Sequence, residues 1–168
     1  STAAIPLNFT EYPISHSLLT VLGWAVLFGF IYFLFKKNWK SAVLVAALVL
    51  SHWLLDMLVH VPDLPLTPFT KIKVGLGLWN YKYLSLLFEL LLFATGVYFY
   101  VQSTKPKNKK GSIGFWSLII FLIVIQVMNA FGPPPPGVEP VAIMGLSQWL
   151  LVLWAGWTDK NRSSFDRP

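Results

Sequence analysis

The stretch SAVLVAALVLSHWLLDMLVH, residues 41–60, decides how this chain folds. It runs for twenty residues with no Lys or Arg and a single carboxylate. A bilayer hydrocarbon core about 30 Å thick is crossed by roughly 20 helical residues rising about 1.5 Å each. A backbone in lipid must satisfy its own hydrogen bonds, so the segment is expected to be a transmembrane helix. It does not alternate in polarity, as a barrel strand would. Yet its second half carries His52, Asp56 and His60 at steps of four. Residues four apart are offset by about 40°, so the three share one helix face over roughly two turns.

Four more apolar runs flank this one. With it they give expected spans at about 17–36, 41–60, 83–102, 112–131 and 140–157. The chain has 168 residues, 55% hydrophobic and 12% charged, with mean hydropathy +0.61. Soluble domains carry about twice that charge. The expected class is therefore an all-α, polytopic membrane helical bundle forming one transmembrane domain over residues 1–168. With no cysteine, disulfides and thiolate metal sites are excluded. Net charge is +6, but the basic residues cluster between apolar runs and read as topology signals. The expected partner surface is the lipid bilayer, and no nucleic acid. The stretch STAAIPLNFTEYPISHSLL (1–19) has no basic region and no Met, so it is not a signal peptide. The chain is expected to be processed or part of a longer one.

Three connectors set the orientation. KKNWK (36–40), KPKNKK (105–110) and DKNRSSFDR (159–167) are the basic ends, which the positive-inside rule places in the cytoplasm. The N-terminus and GPPPPGVEP (132–140) lack Lys and Arg and are expected outside. The connector 61–82 carries Lys71, Lys73 and Lys82 against this assignment, but strict alternation places it outside too. The topology is N-out, C-in. Trp39, Trp79, Trp116 and Trp157 lie near span ends, as interfacial anchors do. The four prolines at 133–136 form a stiff polyproline II spacer, and Pro62 ends the second span. The Gly75–Leu76–Gly77 pair lacks the rest of a phosphate-binding fingerprint. Asn8-Phe9-Thr10 fits a glycosylation sequon, a pattern that also arises by chance.

This topology brings the histidines together. The chain has three, and the third, His16, opens the first span. His16 and His60 then lie at one membrane face on consecutive antiparallel helices. His52 is about 12 Å inward, and Glu89, Gln126, Asn129 and Gln148 also fall in the outer halves of their spans. A charge at the bilayer centre costs roughly 2.5–3.5 kcal/mol on insertion scales, so Asp56 and Glu89 need partners. Histidines or a bound cation could serve. Three His and an Asp suit zinc, and also Mn or Fe. The expected ligands are His16, His52, Asp56 and His60. Asp56, Glu89 and Asp63 are the candidate catalytic carboxylates. Ser15, Ser17 and Ser51 flank the histidines as supporting groups or as helix caps. The plainer alternatives are interhelical hydrogen bonds for the polar side chains, a solvated His60, a turn-forming Asp63 and a protonated Glu89.

At these residues the chain resembles a family of small bacterial integral-membrane proteins, described as membrane-bound metal-dependent hydrolases or as permease-like. The matching words are YPISHSLL (12–19), SHWLLDMLVHVPDLPL (51–66), KVGLGLWN (73–80) before the span holding Glu89, and NAFGPPPP (129–136). The resemblance covers nearly the whole chain. It implies a multi-pass protein of the inner (plasma) membrane. It implies His16, His52 and Asp56 as the metal site, with His60, Asp63 and Glu89 beside it. Family members begin with a further apolar segment bearing its own His and Asp, which these 168 residues do not contain. The expected activity is metal-dependent hydrolysis of an ester, phosphoester or amide in a lipid-like or membrane-proximal substrate, with zinc as the cofactor. Two other classes stay open: a non-catalytic subunit held by membrane-protein partners, and an ion or proton transporter using Glu89, Asp56 and the histidines as a relay.

Overall fold

A computed structural model of the chain describes residues 13–165; the sequon at 8–10 lies outside them. Among the described residues, five helices are long and apolar enough to cross a membrane. They are α2 (Leu18–Lys36), α3 (Trp39–Val59), α4 (Lys82–Ser103), α5 (Lys109–Phe131) and α6 (Val138–Lys160). A one-turn helix, α1 (Pro13–His16), precedes them. Two short antiparallel ribbons complete the fold: β1 (Leu64–Pro65) with β2 (Lys73–Val74), and β3 (Thr104–Pro106) with β4 (Arg162–Ser164). The protein is thus an all-α membrane protein, and each expected span is found within three residues of its expected ends. His16 falls outside α2, because Ser17 breaks the helix and caps the next one through Thr20 N–H. His60 falls outside α3 as its extended C-cap, two residues before Pro62. The chain divides into two compact units, Ser1–Ser85 and Leu86–Pro168.

In the first unit, α2 and α3 form a hairpin with a two-residue link. Lys37 takes the left-handed conformation (φ 51°) that closes α2, and Asn38 caps α3 by accepting from Ser41 N–H at 3.1 Å. Val21, Ala25 and Gly29 are buried along α2 at steps of four. A Cβ on Gly29 would lie 3.0 Å from the Ala42 carbonyl oxygen and 3.1 Å from the Ala46 Cβ. The hairpin therefore closes through small residues, the packing that works where lipid competes with every apolar side chain. Two loop amides reach the carbonyls that α3 leaves at its C-terminus: Leu76 N–H donates to Met57 (2.8 Å) and Gly77 N–H to His60 (2.6 Å). A Cβ on Gly75 would strike the His60 and Val61 carbonyls. The glycine pair serves this close approach. Leu64 is wholly buried, and Leu19 N–H donates to Leu66 O at 3.0 Å, which ties the ribbon to the start of α2.

In the second unit, Asn108 caps α5 by accepting from Gly111 N–H at 3.0 Å. Gly111 lies against the Asn161 carbonyl and Gly114 against Trp157, so α5 and α6 meet closely at this end. Arg162 is buried there. Its Nε donates to Thr104 Oγ1 (3.0 Å), and its other nitrogens donate to the carbonyls of Thr104 (3.1 Å) and Gly111 (3.4 Å). The guanidinium lies 4.8 Å from the Phe115 ring centre and 5.3 Å from that of Tyr100.

Candidate functional site

The site begins with how α1 is held. Three side chains donate to its carbonyls: Thr20 Oγ1 to Pro13 (2.9 Å), Trp24 Nε1 to Ile14 (3.0 Å) and Trp53 Nε1 to His16 (3.0 Å). Trp53 is 3% exposed and follows His52 on α3. A buried indole N–H needs an acceptor, and here the need ties the His16 backbone to α3.

The tether brings three ligand-type atoms together. Asp56 Oδ2 lies 3.2 Å from His52 Nε2 and 3.6 Å from His16 Nε2. Ligand atoms of His16, His52 and Asp56 all lie within 4.8 Å of one another. The two imidazole rings meet edge-on, with centroids 5.0 Å apart. Asp56 Oδ2 is buried and accepts no hydrogen bond among the described residues. A carboxylate oxygen in that state is costly unless a cation neutralises it. Ligands bound to zinc at about 2.0–2.1 Å at tetrahedral angles stand about 3.4 Å apart, close to the two separations from Asp56. The His52 side chain is 51% exposed, so the cluster has an open side.

The state of His16 suits ligation. Burial lowers its pKa, against the raising pull of Asp56, while His52 and His60 lower it further. The imidazole is neutral at neutral pH, the form that binds metals. Ser15 Oγ lies 2.7 Å from His16 Nδ1. Nδ1 is thereby engaged while Nε2 faces Asp56, the arrangement by which outer groups orient metal-binding histidines.

His60, expected as a further ligand, stands differently. Its Nδ1 lies 3.0 Å from Asp63 Oδ1, and its ring packs on Trp79 at 4.4 Å between centroids. It is buried, 6.4 Å from the His16 ring, and outside the three-residue convergence. The extended backbone at residue 60 takes the side chain off the face shared by His52 and Asp56. Trp79, expected as an interfacial anchor, lies against this imidazole. Glu89 belongs to the second unit, where the Gln126 amide donates to it. Ser17 caps α2, and Ser51 donates back to Leu48 O at 2.7 Å. Of the three flanking serines, Ser15 is the one bonded to a cluster histidine. The sequence gives no direct sign of the role of Trp53; a Trp in mid-span beside a His is the available signal.

Residues 9–132 match the model of a family described as YdjM inner membrane protein. No curated protein and no solved structure matches the chain.

Proposed function

The chain belongs to the YdjM inner membrane protein family, and from that premise we propose that it is a membrane-embedded, metal-dependent hydrolase. His16, His52 and Asp56 would hold one divalent ion, zinc by donor type. The observation that carries this reading is the buried Asp56 Oδ2, without a hydrogen-bond donor among the described residues and faced by two Nε2 atoms. Two imidazoles and a carboxylate are the usual three-ligand set of a catalytic zinc, which leaves a position for the reactants. A bound divalent ion supplies Lewis acidity, which polarises a carbonyl or phosphoryl oxygen and acidifies water.

The chain's own residues account for the rest. Ser15 holds the His16 ring, and Trp53 holds its backbone. The His60–Asp63 pair handles protons beside the site: Asp63 fixes Nδ1, so exchange falls to Nε2. Trp79 covers one side of that ring against water. The exposed edge of His52 admits a reactant from the apolar surroundings of the helix ends, which suits a lipid-like or membrane-proximal ester, phosphoester or amide.

The test is metal analysis of the purified protein, followed by turnover of chromogenic carboxylic and phosphate esters in mixed micelles. About one zinc per chain is expected, lost in His52→Ala and in Asp56→Ala, with hydrolysis abolished by a chelator and restored by zinc. A correctly folded wild-type protein that takes up no divalent metal would sink the proposal. Stoichiometric metal without turnover of any ester would remove the hydrolase and leave a metal-binding membrane protein.

A further inference from the structure

The α2–α3 hairpin has a second chemical feature, at the end opposite its histidines. A groove of about 630 Å³ runs between the two helices. Phe28, Ile31, Tyr32 and Phe35 of α2 line one wall, Val45 and Val49 of α3 the other, and Lys36 stands at its end. From Lys36 to Phe28 is eight residues, about 12 Å of helix. The wall is almost wholly apolar, while Lys36, Lys37 and Lys40 crowd the link between the helices and are all exposed. No Asp or Glu occurs from residue 12 to residue 55. Among the described residues, none of the three lysines makes an ion pair; Lys37 Nζ sits 5.8 Å over the Phe33 ring.

We propose that this groove binds one acyl chain of an anionic glycerophospholipid whose phosphate is held at Lys36, with Lys37 and Lys40 adding to the field. The occupant follows from the two halves of the site. The groove asks for a hydrocarbon chain, and the unneutralised cations at its mouth ask for an anion joined to it. A free phosphate would leave the groove unfilled, and a neutral lipid would leave the lysines unpaired. The positive-inside rule assigns this end to the cytoplasmic leaflet, where basic clusters meet anionic lipids. The site is independent of the histidine cluster and needs no metal.

The experiment uses the full chain in neutral detergent, with native mass spectrometry read against added phosphatidylglycerol or phosphatidylcholine of equal chain length. Wild-type protein should retain phosphatidylglycerol in preference, at one copy per chain. Lys36→Ala should weaken retention about fivefold, and the triple variant Lys36→Ala/Lys37→Ala/Lys40→Ala further. Val49→Trp, which fills the groove and leaves the charge, should also release the lipid. Lys109→Ala/Lys110→Ala, in a second basic cluster, should leave retention unchanged. Equal retention of the two lipids overturns the proposal. So does an equal loss in the Lys109/Lys110 variant, which would mean general electrostatic attraction. Displacement by inorganic phosphate would reduce the site to an anion contact and overturn the acyl groove. Should Val49→Trp not fold, the lysine variants, which change exposed side chains alone, decide the matter.

Discussion

Two charged groups, a buried Arg162 and a half-buried Asp56, sit one in each unit and are met differently by the protein. Arg162 is held by the protein: each of its three nitrogens donates to a Thr104 or Gly111 oxygen, and the stacked Tyr100 and Phe115 rings lie within 5.3 Å of its guanidinium. Asp56 is left unsaturated: its buried Oδ2 faces two imidazole nitrogens and accepts no hydrogen bond among the described residues. A charge fully met by protein groups joins secondary-structure elements, here β3, β4 and the first turn of α5. A carboxylate oxygen faced by two imidazole nitrogens is the feature on which the proposed metal site rests. The two differ modestly in burial and chiefly in which donors and acceptors meet them.

The comparison can be broken most forcefully at Arg162. Arg162→Ala removes the three side-chain hydrogen bonds to Thr104 and Gly111 and the guanidinium packed against Tyr100 and Phe115. It should lower unfolding free energy by about 4 kcal/mol, read as thermal midpoint in detergent, with metal content unchanged. If metal is lost while the fold survives, the two roles are not separate. Asp56→Asn should do the reverse. Metal affinity should fall by more than about 100-fold, while the thermal midpoint of the metal-free protein holds or rises, because a carboxylate oxygen that accepts no hydrogen bond among the described residues is gone. A large loss of metal-free stability would instead make Asp56 a structural partner of the histidines.

Two finer tests sharpen the contrast. Ser15→Ala frees His16 Nδ1 and should weaken zinc binding about tenfold in a competition titration, with little effect on folding. The His16 pKa gives the smallest effect. Its folded value lies below its unfolded value, so folding favours the neutral ring. That contribution is full above the ordinary histidine value of about 6.5 and is lost as pH falls through the folded value. The metal-free wild type should therefore lose thermal stability as pH falls below about 6.5, and His16→Ala should flatten that slope. An unchanged slope would mean that other groups set the acid limit.

Much of the fold was legible in the sequence, since hydrophobic runs of bilayer length leave the backbone one self-satisfying form. The helix ends were less so. Ser17 and His60 looked like parts of spans, and capping at one and an extended backbone at the other put both outside. The candidate site was legible in His52 and Asp56, because steps of four on a helix impose neighbourhood, and in His16, because charge topology put it at the same membrane face. The same rule misled for His60, whose residue had already left the helix and found Asp63. The Gly75–Gly77 pair gave no sign of its purpose until the loop was seen lying on the His60 and Val61 carbonyls.

The sequence by itself determined that this is a helical membrane protein and that His52 and Asp56 share a face, because chain length against bilayer thickness and helix periodicity are local constraints. Charge topology had already put His16 at the membrane face of the other histidines; tertiary structure decided how it is held beside His52 and Asp56. That required the Trp53 indole to find its acceptor on a separate turn of helix, 37 residues back in the chain. It also decided that His60 turns to Asp63 and Trp79, that Arg162 finds three oxygen acceptors, and that Asp56 Oδ2 finds no hydrogen bond among the described residues. Those outcomes depend on where hydrogen-bond donors arrive in space, which no periodicity encodes.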